Sequence, residues 1–349
     1  MPEFVTPPPI RAGDQVAIVA PASNPSTEVP HVLDCAERRL RDIFDVEPVR
    51  FPTAERDNDW LYDHPEARAA DVHDAFRDPD ITGVFAILGG NDQIRILRHL
   101  DPAVLREHPT RFFGSSDNTH LHTELWKQGV PSFYGGNLMT DVAVPGALPD
   151  YNETSITRAM ERDELGVLPT SAEFTDQDLD WHDPENIDRT PEYEPNSGPF
   201  WRGGDQPARG RLWGGCLEVL DTILAADNAP PLDDLEDVVL CLETSEELPG
   251  PAEVQRFLLG LGERGILDQA SAVLVGRPKA RSHLVEKPAD EREAHRQAQY
   301  DTVTRIVAEY APTIPVVCGL DLGHTTPTFP LPLGAETTVD PDTERIEFH

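Results

Sequence analysis

A serine, a glutamate and a histidine each stand at the polar end of an apolar run: Ser116, Glu243 and His324. The serine lies in Arg111-Phe112-Phe113-Gly114-Ser115-Ser116-Asp117-Asn118-Thr119, where an apolar stretch breaks at a glycine and a helical pattern begins. Strand, sharp turn and helix is the arrangement that lifts a hydroxyl clear of a sheet and sets it at a helix N-terminus. The unpaired N–H groups and the helix dipole there favour an oxyanion. A hydroxyl needs a base to become a nucleophile, and the base needs a carboxylate to fix its tautomer. Each residue also has a plainer role. Ser115, Ser116 and Asp117 suit a helix cap, which is the commoner use of such a stretch taken alone. Glu243 suits a strand-end surface charge, and His324 a turn beside Gly323. Chain order does not decide between these roles, because triads occur in several orders.

The elements that must position these residues alternate. Residues 15–20 form a short apolar run ending at Pro21, which predicts a first parallel strand. Helical patterns cover about 32–44 and the stretch opened by Pro65. A strand at 83–88 runs into Gly89-Gly90-Asn91-Asp92 and a helix over 93–100; the serine turn leads a helix to about 128, and a short strand follows at 131–134. This predicts an open α/β sheet with crossover helices. Sites in such sheets lie beyond the carboxyl ends of the strands, where Gly89-Gly90 and Ser116 fall. From 165 to 209 the pattern lapses into an acidic, Pro-rich segment with Phe174, Trp181, Tyr193, Phe200 and Trp201. Its length and aromatics favour a lid over a binding site rather than a plain linker. From 210 onward a second domain is expected, with strands at 238–242, 272–275 and 314–318, helices over 252–264 and about 290–310, and a terminal hairpin at 336–339 and 344–348.

Composition removes several function classes. The formal net charge of −34 argues against nucleic-acid binding, which needs a basic face. Lysine is nearly absent (Lys127, Lys279, Lys287), and arginine supplies the rest of the 29 basic residues. Such self-repulsion requires screening, and at molar salt the Debye length is only about 3 Å. A protein of a very salty cell interior is therefore expected. No run of about 18 apolar residues exists, so no membrane span is expected. Met1-Pro2-Glu3-Phe4 lacks the basic and apolar regions of a signal peptide, and Cys35, Cys216, Cys241 and Cys318 have no metal spacing; both point to the cytoplasm. His120 and His122 do not share a helix face and make a poor metal pair. The Gly89-Gly90 loop is not a P-loop, because no G-K-[ST] follows.

In order along the chain, these segments resemble the LD-carboxypeptidase and microcin C self-immunity family of serine peptidases. Gly13-Asp14 with the first strand resembles the family's opening, Leu88-Gly89-Gly90-Asn91-Asp92 its Gly-Gly loop, and Gly114-Ser115-Ser116-Asp117 its nucleophile turn. Phe133-Tyr134-Gly135-Gly136 follows at the expected distance, and Gly210-Arg211-Leu212-Trp213-Gly214-Gly215 resembles the opening of its second domain. Leu242-Glu243 matches the strand-end glutamate, and Gly323-His324 with Pro330-Leu331-Pro332-Leu333-Gly334 matches the histidine region.

The resemblance implies an N-terminal open parallel-sheet, flavodoxin-like domain over 1–164 and a loop over 165–209. A smaller C-terminal α/β domain over 210–349 would follow, with the active site between the domains. It implies Ser116 as nucleophile, His324 as base and Glu243 as its orienting partner, with an oxyanion hole from the N–H groups of Gly90 and Asp117. Asn91, Phe174, Trp181 and Cys216 fall at substrate-contacting positions. In the microcin-immunity branch, which this chain resembles more closely, the two aromatics would stack on an adenine ring. Thr244-Ser245-Glu246-Glu247 departs from the basic residues some members carry there and is unhelpful near a phosphate. Cys216 replaces a frequent asparagine and loses an amide donor and acceptor. The implied reaction is amide cleavage in a peptide- or aminoacyl-nucleotide conjugate, through an acyl-enzyme, in a homodimer without metal or organic cofactor. The alternatives are an LD-carboxypeptidase acting on wall-type tetrapeptides and a non-catalytic small-molecule binder.

Overall fold

Two sheets carry the chain in a computed structural model, which describes residues 3–282 and 284–349. In the first, β1 (Gln15–Val19), β2 (Glu47–Arg50), β3 (Ile81–Ala86), β4 (Arg111–Gly114) and β5 (Ser132–Tyr134) run parallel in the order 2-1-3-4-5. That is the flavodoxin-like order of a doubly wound sheet. Because successive side chains leave opposite faces of a strand, Val16 and Ile18 of β1 join one buried cluster while Ala17 and Val19 join another. Helices cover both faces, among them Pro30–Asp42, which buries Val32, Leu33, Ala36 and Leu40.

The second sheet has eight strands. Its parallel centre is Ala208–Cys216, Val238–Glu243, Ala270–Gly276 and Val316–Leu320, covered by the helices Pro251–Glu263 and Ala289–Tyr310. The terminal hairpin, Glu336–Asp340 with Arg345–Phe348, extends one edge.

The division of the chain by sheets is less sequential than the pattern predicted. Leu331–Leu333, within the expected second domain, is the antiparallel edge strand of the first sheet, paired with β5. An edge position suits Pro332, which lacks an N–H to donate. The 165–209 segment is not without regular structure either. Gly166–Val167 and Phe200–Arg202 are edge strands of the second sheet, and Glu173–Phe174 pairs with Glu194–Pro195. Residues expected as a helix over 93–100 form a 3-10 helix, Gln93–His99. These connections bring the carboxyl ends of β3, β4, Val238–Glu243 and Val316–Leu320 to one cleft.

Candidate active site

Gly114 ends β4, and Ser116 opens a 3-10 turn that leads into the helix Thr119–Lys127. Ser116 has φ +61, a left-handed conformation that strains a residue with a Cβ by about 1–3 kcal/mol and persists only where its surroundings enforce it. Here its N–H donates to Tyr134 Oη at 2.9 Å, and its carbonyl accepts from Thr119 Oγ1 at 2.6 Å. Gly89 leaves the room: a Cβ there would stand 2.7 Å from Ser116 Cβ and 3.0 Å from Oγ. The neighbouring Ser115 is buried, and its Oγ accepts from Asn137 Nδ2 at 2.7 Å, which ties it into the scaffold. Both serines line the cleft, but Ser116 is the more exposed of the two.

Asp117 fastens the facing loop. Its Oδ2 accepts from the N–H groups of Asp92 and Gln93 at 2.9 and 2.8 Å, and burial pushes its carboxyl up to about 6. Asp92 is held in turn by the fully buried Arg68, at 2.8 and 3.1 Å. Gly90 therefore lies against the first turn after the serine, with its Cβ position 3.3 Å from Asp117 Oδ2. As the second residue of the turn, Asp117 has an N–H without an intrahelical partner. The Cβ position of Gly89 is 3.3 Å from the Asp117 amide nitrogen, so the Gly-Gly loop and the serine turn pack closely together.

From the second sheet come the carboxylate and the imidazole. Glu243 is the last residue of a wholly buried strand and is 2% exposed. His324 Nδ1 lies 2.7 Å from Glu243 Oε2, and Tyr134 Oη donates to Glu243 Oε1 at 2.6 Å. Gly323, at φ +93, makes this approach possible: a Cβ there would meet Glu243 Oε2 at 2.5 Å. Burial and then Glu243 raise the Tyr134 phenol far above its usual range, so it remains a donor. The result is a continuous line from the Ser116 amide through Tyr134 and Glu243 to His324, spanning both sheets. The other imidazole nitrogen, Nε2, lies 3.1 Å from Glu246 Oε2. Burial opposes the imidazolium, but Glu243 and Glu246 outweigh it and hold His324 well above the usual histidine value. His324, mainly by its hydrogen bond, brings Glu246 down to about 2.

Ser116, Gly90, Asn91, Trp181 and His324 all line one cavity of about 470 Å³. Its outer wall comes from the 165–209 segment, through Asp176 to His182. Phe174 is not part of the lining, contrary to the sequence expectation. It is 6% exposed and packed between two guanidinium groups, Arg277 at 4.2 Å and Arg296 at 4.8 Å from the ring centre. Cys216 is also outside the lining. It ends its strand 1% exposed, with Sγ 3.2 Å from Glu218 Oε2. Both are apolar enough to be taken into the interior.

Tyr134, Glu246 and Lys279 are site residues that spacing did not single out. Tyr134 stands inside the Phe133-Tyr134-Gly135-Gly136 segment, but its use of both sheets becomes visible only when they meet. Glu246 was legible only as a departure from a basic pattern. Lys279 lines the cavity and is paired with Asp178.

Comparison with known proteins gives the family. A model of the LD-carboxypeptidase N-terminal domain matches residues 16–135, and one of the LD-carboxypeptidase C-terminal domain matches residues 209–339. The Microcin C7 self-immunity protein MccF of Escherichia coli is 26% identical over 282 residues, 80% of this chain and 77% of that protein. A probable murein peptide carboxypeptidase of Bacillus subtilis is 26% identical over 334 residues, 95% of this chain and 90% of that protein. Among solved structures, an MccF-like protein from Streptococcus pneumoniae in complex with AMP has a TM-score of 0.86 at 28% identity, covering 96% of this chain and 98% of that one.

Proposed function

The chain belongs to the LD-carboxypeptidase family of serine peptidases, and we propose that it cleaves the amide bond of peptide- or aminoacyl-nucleotide conjugates through an acyl-enzyme on Ser116. The observation that carries this reading is the hydrogen-bonded line from Ser116 through Tyr134 and Glu243 to His324. In the proposed reaction Ser116 Oγ attacks the carbonyl carbon while His324 Nε2 takes its proton. Glu243 keeps Nδ1 protonated and steadies the imidazolium. The tetrahedral oxyanion is met by the N–H groups of Gly90 and Asp117, donors already fixed before the reaction. His324 then protonates the leaving amine, and water releases the acyl group by the reverse sequence.

The conjugate is favoured over a plain wall peptide because half-buried Trp181 offers an aromatic face in a cavity large enough for a nucleoside. The AMP complex of the Streptococcus relative is in keeping with this. The wall-peptide reading uses the same residues and has the Bacillus relative in its support. A cytoplasmic homodimer dependent on molar salt completes the proposal, and the charge of −34 supports the salt requirement.

A fluorophosphonate probe tests the chemistry: Ser116 should be labelled and Ser116→Ala should not. Labelling at Ser115, or none, would overturn the assignment, and none would favour a binding protein. Product release from an aminoacyl-sulfamoyl adenosine against an L,D-tetrapeptide separates the two substrate readings. Full activity in dilute buffer would remove the salt requirement.

A further inference from the structure

The contact between Glu246 and His324 bears directly on which acyl group the cleft admits. His324 Nε2 is the nitrogen that must receive the serine proton, yet a carboxylate oxygen stands 3.1 Å from it. A carboxylate in that place holds the imidazole in its charged form, unable to act as a base, so Glu246 must leave before Ser116 is activated. Its backbone does not need to move. The turn is pinned by Ser245, whose N–H and Oγ donate to Glu218 Oε1 at 3.0 and 2.8 Å, and the Glu246 side chain is 59% exposed.

Three other carboxylates of the cavity wall have fixed partners. Asp176 is held by Arg281 and Arg296, Asp178 by Lys279, and Asp141 by the N–H groups of Gly136 and Asn137. Lys279, already engaged, stands near enough to Glu246 to favour its charge, and Glu247 adds a second negative charge to the same rim. Glu246 differs from the rest in resting on the reacting histidine itself.

We propose that Glu246 is the specificity-determining residue of the cleft, exchanging His324 for the free ammonium of a substrate whose amino group lies on the carbon next to the scissile carbonyl. This rests on the hydrolase reading above and sharpens it: the acyl part is an unblocked aminoacyl group rather than a peptidyl one. The placement fits, since Ser116, His324 and Glu246 line the same cavity, and an ammonium two bonds from the carbonyl carbon attacked by Ser116 enters it together with that carbon. A substrate ammonium gives Glu246 a new partner and frees Nε2 in one movement. An acylated nitrogen carries no charge to draw Glu246 away, and an anionic group there would be repelled.

Diphenyl α-aminoalkylphosphonates test this without dependence on the leaving nucleotide, because Ser116 Oγ bonds to phosphorus and phenol is released. The free-amine probe and its N-acetyl counterpart are compared on the full chain and on Glu246→Gln, at one salt concentration, with a fluorophosphonate as the control for Ser116 reactivity. The wild-type protein should prefer the free amine by roughly tenfold to a hundredfold, the effect of one charge-assisted hydrogen bond. In Glu246→Gln the ratio should fall towards one. A ratio near one in the wild type, a ratio unchanged in the variant, or failure of the free-amine probe where the fluorophosphonate reacts would each overturn the proposal. No reaction of Ser116 with any probe would instead overturn the hydrolase reading, and this inference with it.

Discussion

The two walls of the cleft are held together by different physics. On the serine wall, backbone geometry and hydrogen bonds to main-chain groups set the positions next to the serine, with one ion pair, Arg68 to Asp92, behind them: the strained Ser116, the Gly89 that leaves it room, and Asp117 clasping the N–H groups of Asp92 and Gln93. The opposite wall is held by ion pairs between residues far apart in the chain. Asp176 binds Arg281 and Arg296, and Asp321 binds Arg277 at 2.9 Å while accepting from Ser171. The first arrangement fixes atoms to the precision chemistry needs. The second fastens a long segment over the cleft through charges, on the side where Glu246 is proposed to select the substrate.

Breaking each wall should therefore read out differently. The largest effect is expected from Ser116→Ala, which should lower turnover by on the order of 10⁴-fold or more while the denaturation midpoint hardly moves. A variant with measurable wild-type turnover would remove Ser116 from the chemistry. Next comes Asp176→Ala on the other wall. The Arg281 and Arg296 side chains are only 5% and 4% exposed, and without Asp176 they would keep only more distant carboxylates, Glu192 at 3.8 Å from Arg281 and Glu194 and Glu293 at 3.8 and 3.7 Å from Arg296. A loss of about 3–5 kcal/mol is expected, seen as a lowered urea midpoint and as early proteolysis within residues 176–194. An unchanged midpoint would mean that the ion pairs do not carry that wall.

The same contrast explains what the sequence disclosed. The serine wall was legible because its determinants are contiguous: an apolar run, a glycine, two serines and an acid predict strand, turn and helix with little help from elsewhere. Glu243 and His324 were legible as strand-end residues, each fixed by its own apolar run. The 165–209 segment was readable as a cover but not in its detail, because its placement depends on partners more than 100 residues away, such as Arg281 and Arg296. For the same reason Phe174 looked like a free aromatic. Nothing near it in the chain indicates that Arg277 and Arg296 enclose it. Leu331–Leu333 was missed as a strand of the first sheet because three residues carry no period, and its partner, β5, is nearly 200 positions earlier.

Tyr134 belongs to both walls and so sharpens the comparison. Tyr134→Phe keeps the ring, which is packed in the core, and removes one oxygen that accepts from Ser116 N–H and donates to Glu243. The buried N–H then lacks its partner, at a cost of about 1–3 kcal/mol. We expect kcat to fall by roughly tenfold to a hundredfold, with KM little changed, because the loss is in the alignment of serine and base. A change confined to KM would place Tyr134 on the recognition wall instead.

The smallest effect is the most direct on how the walls communicate. The charged groups facing His324 are Glu243, Glu246 and Asp141, and the first two keep its imidazolium well above the usual value. The acid limb of kcat/KM reports the base of the free enzyme, so activity should rise only as pH passes that raised value. Glu246→Gln removes one of the two stabilising charges, the imidazole loses its proton more easily, and the limb should move to lower pH. Because the Glu246 side chain is 59% exposed, the pair is partly screened. The movement should stay below about one unit, the upper end for an exposed ion pair. High salt should shrink it further, whereas Glu243→Gln, at a buried carboxylate, should cost turnover at every pH and at every salt concentration. A limb that moves equally for both variants would mean that the exposed carboxylate and the buried one act on His324 alike. The distinction between a wall that reacts and a wall that selects would then not hold at its point of contact.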